Sequence, residues 1–200
     1  ALIFVLGGMQ GLMGWYMVQS GLVDVPEVSH YRLAAHLLLA CILAGWVLWT
    51  ILDLAPSQTK SVSSRIRPWF MVAIGGICVQ IVFGAFMAGS RAGYLYATFP
   101  KMNGSWIPPN LFAGSLGWRA LIDEPTGIHF MHRLLAWLLA FGLLGLCLLG
   151  WNRTRTWAQR LSLKLLAGGV LLQFVLGVIT VLYSVAVPIA VAHQVCGVLL

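Results

Sequence analysis

The sequence predicts an all-α, polytopic integral membrane protein. Three observations predict it. Hydrophobic residues make up 60% of the 200-residue chain and charged residues only 8%, against roughly 25% charged in a water-soluble domain. Mean hydropathy is +0.90. The apolar residues fall in continuous runs of membrane-spanning length rather than in the alternating pattern of a β-barrel. Backbone groups in lipid must find partners within their own segment, so such runs are helices. The 22 glycines suit this class, because small residues let helices approach closely in lipid.

Segments 1–19, 33–52, 69–89, 130–150 and 162–184 are long enough to cross a bilayer. A sixth run, 188–200, falls short of the roughly 20 residues a crossing needs. The chain is apolar from Ala1, without the initiator Met and basic n-region of a signal peptide. Both ends read as cuts inside a longer polytopic protein. Loop 53–68 carries Lys60, Arg65 and Arg67, and loop 151–164 carries Arg153, Arg155, Arg160 and Lys164. Loops 20–31 and 90–129 are longer or more acidic, with Asp24, Glu27, Asp123 and Glu124. The positive-inside rule makes the two basic loops cytoplasmic, so the first helix runs outward and the rest alternate. This also accounts for the net charge of +7. Nucleic acid is not the partner, since no basic run with interleaved aromatics occurs. Cys41, Cys78, Cys147 and Cys196 lie in four different apolar segments and read as buried small residues, not as a disulfide or C-x-x-C site.

An internal repeat runs through the outward helices. Gln10–Gly14, Gln80–Gly84 and Gln173–Gly177 share the pattern Q-x-x-x-G, which puts Gln and Gly on one helical face. Each inward helix carries a histidine near its outer end: His36, His132 and His193. The spacings place all three roughly 6–12 Å inside the outer boundary. The reading is a duplicated helix hairpin. A single membrane histidine is often just a helix contact, but three at one depth on equivalent helices point to a functional site.

Zinc would want further Cys, His or carboxylate ligands nearby, and a proton relay would want intramembrane acids. The sequence offers neither. Haem needs one imidazole from each of two facing helices and room made by small residues. Its propionates want cations, and Arg133 follows His132 while Arg32 sits one turn before His36. Both arginines also fit interfacial snorkelling. His30 and His129 read as boundary residues, solvated or hydrogen-bonding rather than ligating. Gln194 reads as support for His193 or as a helix contact, and Cys196 as packing. Loop 90–127 carries Tyr94, Tyr96, Phe99, Trp106, Phe112 and Trp118 among prolines. It reads either as an interfacial anchor or as a cover over the outer mouth of the site.

At these residues the chain resembles the haem A synthase family, in the subgroup shared by mitochondria and proteobacteria. The matching stretches are 11–22 (GLMGWYMVQSGL), 28–37 (VSHYRLAAHL), Ala92-Gly93, Phe99–Met102, Ser105–Pro108, His132-Arg133 and His193-Gln194. The resemblance implies an eight-helix protein of two pseudo-symmetric four-helix bundles. This chain would hold the third to eighth helices. Residues 1–64 would complete an N-terminal, substrate-haem half, and residues 65–200 would form a C-terminal, cofactor half with its last helix cut. It further implies that His132 and His193 are axial ligands of a haem b cofactor with Arg133 beside them, and that His36 and Arg32 face the substrate, haem O. The catalytic glutamate and a partner histidine would lie on an upstream helix. The reaction would oxidise a haem methyl group to a formyl group, with water as oxygen source. Implied partners are membrane lipid, haem O synthase, cytochrome oxidase assembly factors and further copies of the chain, in the bacterial cell membrane or the mitochondrial inner membrane. Two departures stand out. His129 and Met131 occupy positions where the family often has Gln and Asp or Asn, and the cysteine pairs of the other subgroup are missing. The same histidines would also serve a non-catalytic b-type cytochrome, and unligated they would fit an assembly protein.

Overall fold

The computed structural model describes residues 2–19, 28–54, 66–154 and 156–200. Lys60, Arg65, Arg155, Asp24, Glu27, residues 20–22 of the first matching stretch and the 64/65 boundary lie outside the described residues. Among the described residues the helices are α1 (Leu2–Val18), α2 (His30–Leu54), α3 (Arg67–Gly89), α4 (Ala120–Asp123), α5 (Pro125–Trp151), α6 (Trp157–Leu182) and α7 (Val187–Leu199). The β-pairing described there is one isolated bridge between Met102 and Ser105. The chain is an all-α integral membrane protein.

Helices α2, α3, α5 and α6 are long and apolar enough to cross a membrane. Helix α1, expected to span over 1–19, is described as 17 helical residues, and α7 is a 13-residue apolar helix. The helices carry apolar residues all round, and much of that surface faces outward. Phe4, Trp49, Leu148 and Leu165 are exposed, as expected where lipid replaces water.

Three helix starts lie three to five residues ahead of the sequence expectation, two of them for a plain local reason. Helix α5 begins at Pro125 rather than 130. Proline suits the first helical position, where no N–H partner is needed. Helix α6 begins at Trp157 rather than 162, on a capping box. The Gln159 N–H donates to Thr156 Oγ1 at 3.2 Å, and the Thr156 N–H donates to Gln159 Oε1 at 3.3 Å. Helix α2 begins at His30 rather than 33.

Consecutive long helices pack side by side, α1 on α2, α2 on α3, α3 on α5, α5 on α6 and α6 on α7. Two apolar clusters hold the stack. One joins Ala34, Phe83, Phe86, Ala92 and Ile128, from α2, α3, the turn after α3 and α5. The other joins Ala73, Leu143 and Val170, from α3, α5 and α6. One end of the stack gathers the starts of α2 and α5, the segment 90–124 and the α6–α7 turn. There Tyr31 donates a hydrogen bond to Asp123, Arg119 Nε donates to Asp123 at 3.2 Å, and a Cβ on Gly93 would lie 2.8 Å from Val185.

Candidate haem site

The Q-x-x-x-G repeat and the histidines meet in space. Each outward helix presents its glycine to the imidazole of the following long helix. A Cβ built on Gly14 would lie 3.1 Å from His36 Cε1, one on Gly84 3.6 Å from His132 Cε1, and one on Gly177 3.0 Å from His193 Cε1. The glutamine one turn earlier addresses the same histidine in two of the three pairs. Gln10 Nε2 lies 3.5 Å from His36 Nε2. Gln80 Nε2 lies 3.3 Å from His132 Nδ1 and donates to the His132 carbonyl at 3.2 Å. Gln173 turns instead toward Gly197, where a Cβ would lie 2.9 Å from its Nε2. Each histidine lies six or seven residues past the first residue of its helix, about 9–11 Å along the axis.

His36, His132 and His193 line one cavity of about 840 Å3, in the upper range for small-molecule and cofactor sites. Gln10, Gln80, Gln173, Arg133, Arg91 and Gln194 line it too. Tyr94, His129 and Thr180 add polar groups, and most of the remaining wall is apolar. Phe99 stacks on Trp137 with ring centroids 5.6 Å apart, and Phe174 packs on Trp137 at 4.6 Å. Phe99 belongs to the long outer segment, so that segment closes one side of the cavity. Its Trp106 and Trp118 point away and are exposed.

Arg32 stands apart from the cavity. Its Nη1 donates to the Tyr16 carbonyl at 2.8 Å, and its guanidinium lies 3.8 Å from the Tyr16 ring centre. It ties α2 to α1. His30 is partly exposed, with its Nε2 buried and without a partner. Its ring packs on Phe86 at 5.0 Å. His129 is a correction. Expected at a solvated boundary, it sits inside α5 with no exposed surface, because that helix starts five residues early. Its hydrogen-bonding half holds, since Nδ1 lies 2.9 Å from the Ala92 carbonyl and Nε2 accepts from Arg133 Nε at 2.9 Å. The four cysteines, expected to be buried, are free thiols of which Cys147 is buried and Cys41, Cys78 and Cys196 are partly exposed.

The family model of the cytochrome oxidase assembly proteins matches residues 1–200. The chain belongs to that family. A protein named heme A synthase from Parvibaculum lavamentivorans is 41% identical over 193 residues, covering 96% of this chain and 55% of its own length. One of the same name from Nitrosospira multiformis is 41% identical over 206 residues, covering 99% and 57%. A third, from Anaplasma marginale, is 41% identical over 199 residues, covering 98% and 55%. The chain thus spans somewhat over half the length of these relatives.

Two observations bear on whether the residues at this cavity could take a haem. Buried polar atoms at the cavity lack partners: Nδ1 of His36 and His193, and Oε1 of Gln10, Gln80 and Gln173. Such atoms are unfavourable in an apolar interior and mark places where a ligand or a small shift supplies the missing contact. The glycines also leave no side chain between helix backbone and imidazole, so the rings lie deep against the neighbouring helix and the cavity centre stays open. Sequence reasoning found the histidines and glycines through their repeat. It missed His129, although an i,i+4 spacing to Arg133 was there to be read once both are on one helix.

Proposed function

We propose that the protein carrying this chain is a haem A synthase, oxidising the methyl group of haem O to the formyl group of haem A for cytochrome oxidase. The observation that carries this reading is the convergence of three imidazoles from three equivalent helix pairs on one cavity. Relatives named heme A synthase along the whole chain support it. Turning a methyl group into a formyl group takes one oxygen from water and releases four electrons and four protons to an acceptor.

In this reading, residues 65–200 hold the cofactor and residues 1–64 face the substrate. His132 on α5 and His193 on α7 hold haem b through their ring nitrogens, and a bound haem b supplies one-electron redox chemistry. Gln80 fixes the part of α5 that carries His132 and so limits how its ring turns. Gly84 and Gly177 seat the two rings. Arg133 offers a cation to the cofactor's carboxylates. His36, seated on Gly14 and addressed by Gln10, faces substrate haem O, with Arg32 outside the cavity holding α2 against α1. Phe99, Trp137 and Phe174 wall the cavity with flat apolar surface and keep water out. The membrane is the bacterial cell membrane, in keeping with the bacterial relatives. Haem O synthase, oxidase assembly factors and further copies of the chain are the proposed partners.

The test is haem extraction from cells that are supplied with haem O and express the gene encoding this chain. Haem A should accumulate. Recovery of unmodified haem O and haem b alone would overturn the enzymatic reading and leave an electron-transfer cytochrome.

A further inference from the structure

We infer that His129 is a positioning residue, which aims Arg133 into the cavity as a carboxylate-binding cation and leaves its charge uncompensated. The inference rests on the haem reading above, since a haem brings two carboxylates to whichever cation faces it.

The hydrogen bonds around His129 assign its protons. Nδ1 lies 2.9 Å from the Ala92 carbonyl, which can only accept, so Nδ1 carries the hydrogen. Nε2 then keeps its lone pair and accepts from Arg133 Nε at 2.9 Å. Both bonds need the neutral ring. The ring is completely buried and makes an edge-on contact with Tyr96, centroids 5.6 Å apart.

Arg133 is consequently held at two of its three nitrogens. Nε bonds His129, and Nη2 donates to the Tyr96 carbonyl at 2.8 Å. The third, Nη1, lies 3.5 Å from the Lys101 carbonyl, beyond the usual range for a strong N–H···O bond. It is the donor available to a ligand in the cavity that Arg133 lines. All three protein acceptors are neutral, and among the described residues no carboxylate lies within ion-pair distance of Arg133. A guanidinium at this depth without a counter-ion is unfavourable. An acidic residue at position 129 would neutralise it, and a neutral acceptor orients it while preserving its attraction for an incoming anion. The same bonds join α5 to segment 92–101, which carries Phe99 into the cavity wall. The aim of Arg133 and the closure of that wall therefore depend on one ring.

The test uses the complete haem-bound protein and measures the midpoint potential of haem b by redox titration, with haem content read alongside. H129L removes both hydrogen bonds, H129Q keeps a donor and an acceptor, and H129E supplies a competing negative charge. H129L and H129E should lower the potential, because a carboxylate less offset by Arg133 favours ferric haem. H129Q should stay near wild type. R133Q should lower the potential as well, and adding H129L to R133Q should lower it no further, because both changes act through one contact. Wild-type potentials in H129E and R133Q, or fully additive shifts in the double variant, would overturn the inference. Should H129L fail to fold, the comparison of H129Q with H129E decides alone. Wild-type protein purified without haem would instead overturn the haem reading beneath it.

Discussion

At the scale of single residues, tenths of an ångström separate the three glycines that seat the imidazoles. A Cβ at position 177 would press on His193 at 3.0 Å, whereas one at position 84 would meet His132 at an ordinary 3.6 Å. Gly177→Ala should therefore displace His193 and destabilise the protein by about 1–3 kcal/mol, as overpacking does. Gly84→Ala should be tolerated. Thermal melts with haem content read in parallel check both, and equal behaviour of the two variants would contradict the geometry. Outside the membrane, the hydrogen bond from Tyr31 holds the Asp123 carboxyl below its ordinary range, with Arg119 adding to the effect. A lowered folded-state pKa gives a stability contribution that is present above the unfolded pKa and lost as pH falls through the folded one. Wild type should lose more stability than Asp123→Asn between about pH 5 and pH 3. Parallel pH profiles would show that this contact contributes nothing. The sequence displayed the glycines as a repeat, but which of them is tight depends on helix separation, which no spacing encodes.

At the scale of helices, the hairpin is the repeating unit. An outward helix with Gln and Gly four apart faces a following helix whose histidine lies six or seven residues from its start. This was legible because helical period and matched depth are both properties of residue spacing. The helix starts were less legible. Pro125, Thr126 and Gly127 look like loop residues, yet proline at the first position opens α5 five residues before its apolar run. That shift carries His129 from the surface to full burial and creates its contact with Arg133. Arg32 likewise has the spacing of a site residue, but the nearby Tyr16 ring and carbonyl on α1 hold it. Partners on a neighbouring helix are set by packing, not by the helix's own sequence. Gln80 tests the cross-helix link directly. Gln80→Leu removes its bonds to His132 and its carbonyl and should cost about 0.6 kcal/mol, a typical value for a polar contact between membrane helices. It should also change the spectrum of the bound haem. An unchanged spectrum would mean that Gln80 does not constrain the ring.

At the scale of the whole molecule, the helix order brings distant parts of the chain to one cavity. Residues from α1, α2, α3, α5, α6 and α7 line it, and the segment 90–124 closes it with Phe99. The membrane fold was readable from composition and run length alone, because lipid leaves the backbone few choices. The cavity was not, because it exists only where six helices and a loop leave space between them. In the proposed reading, His132 and His193 hold the cofactor and His36 serves the substrate side of that space. Reduced-minus-oxidised spectroscopy and haem quantification on His132→Ala, His193→Ala and His36→Ala test it most directly. Loss of haem b from the first two variants with retention in the third is the predicted result. Undiminished haem b in His132→Ala or His193→Ala, or its loss from His36→Ala, would contradict the assignment.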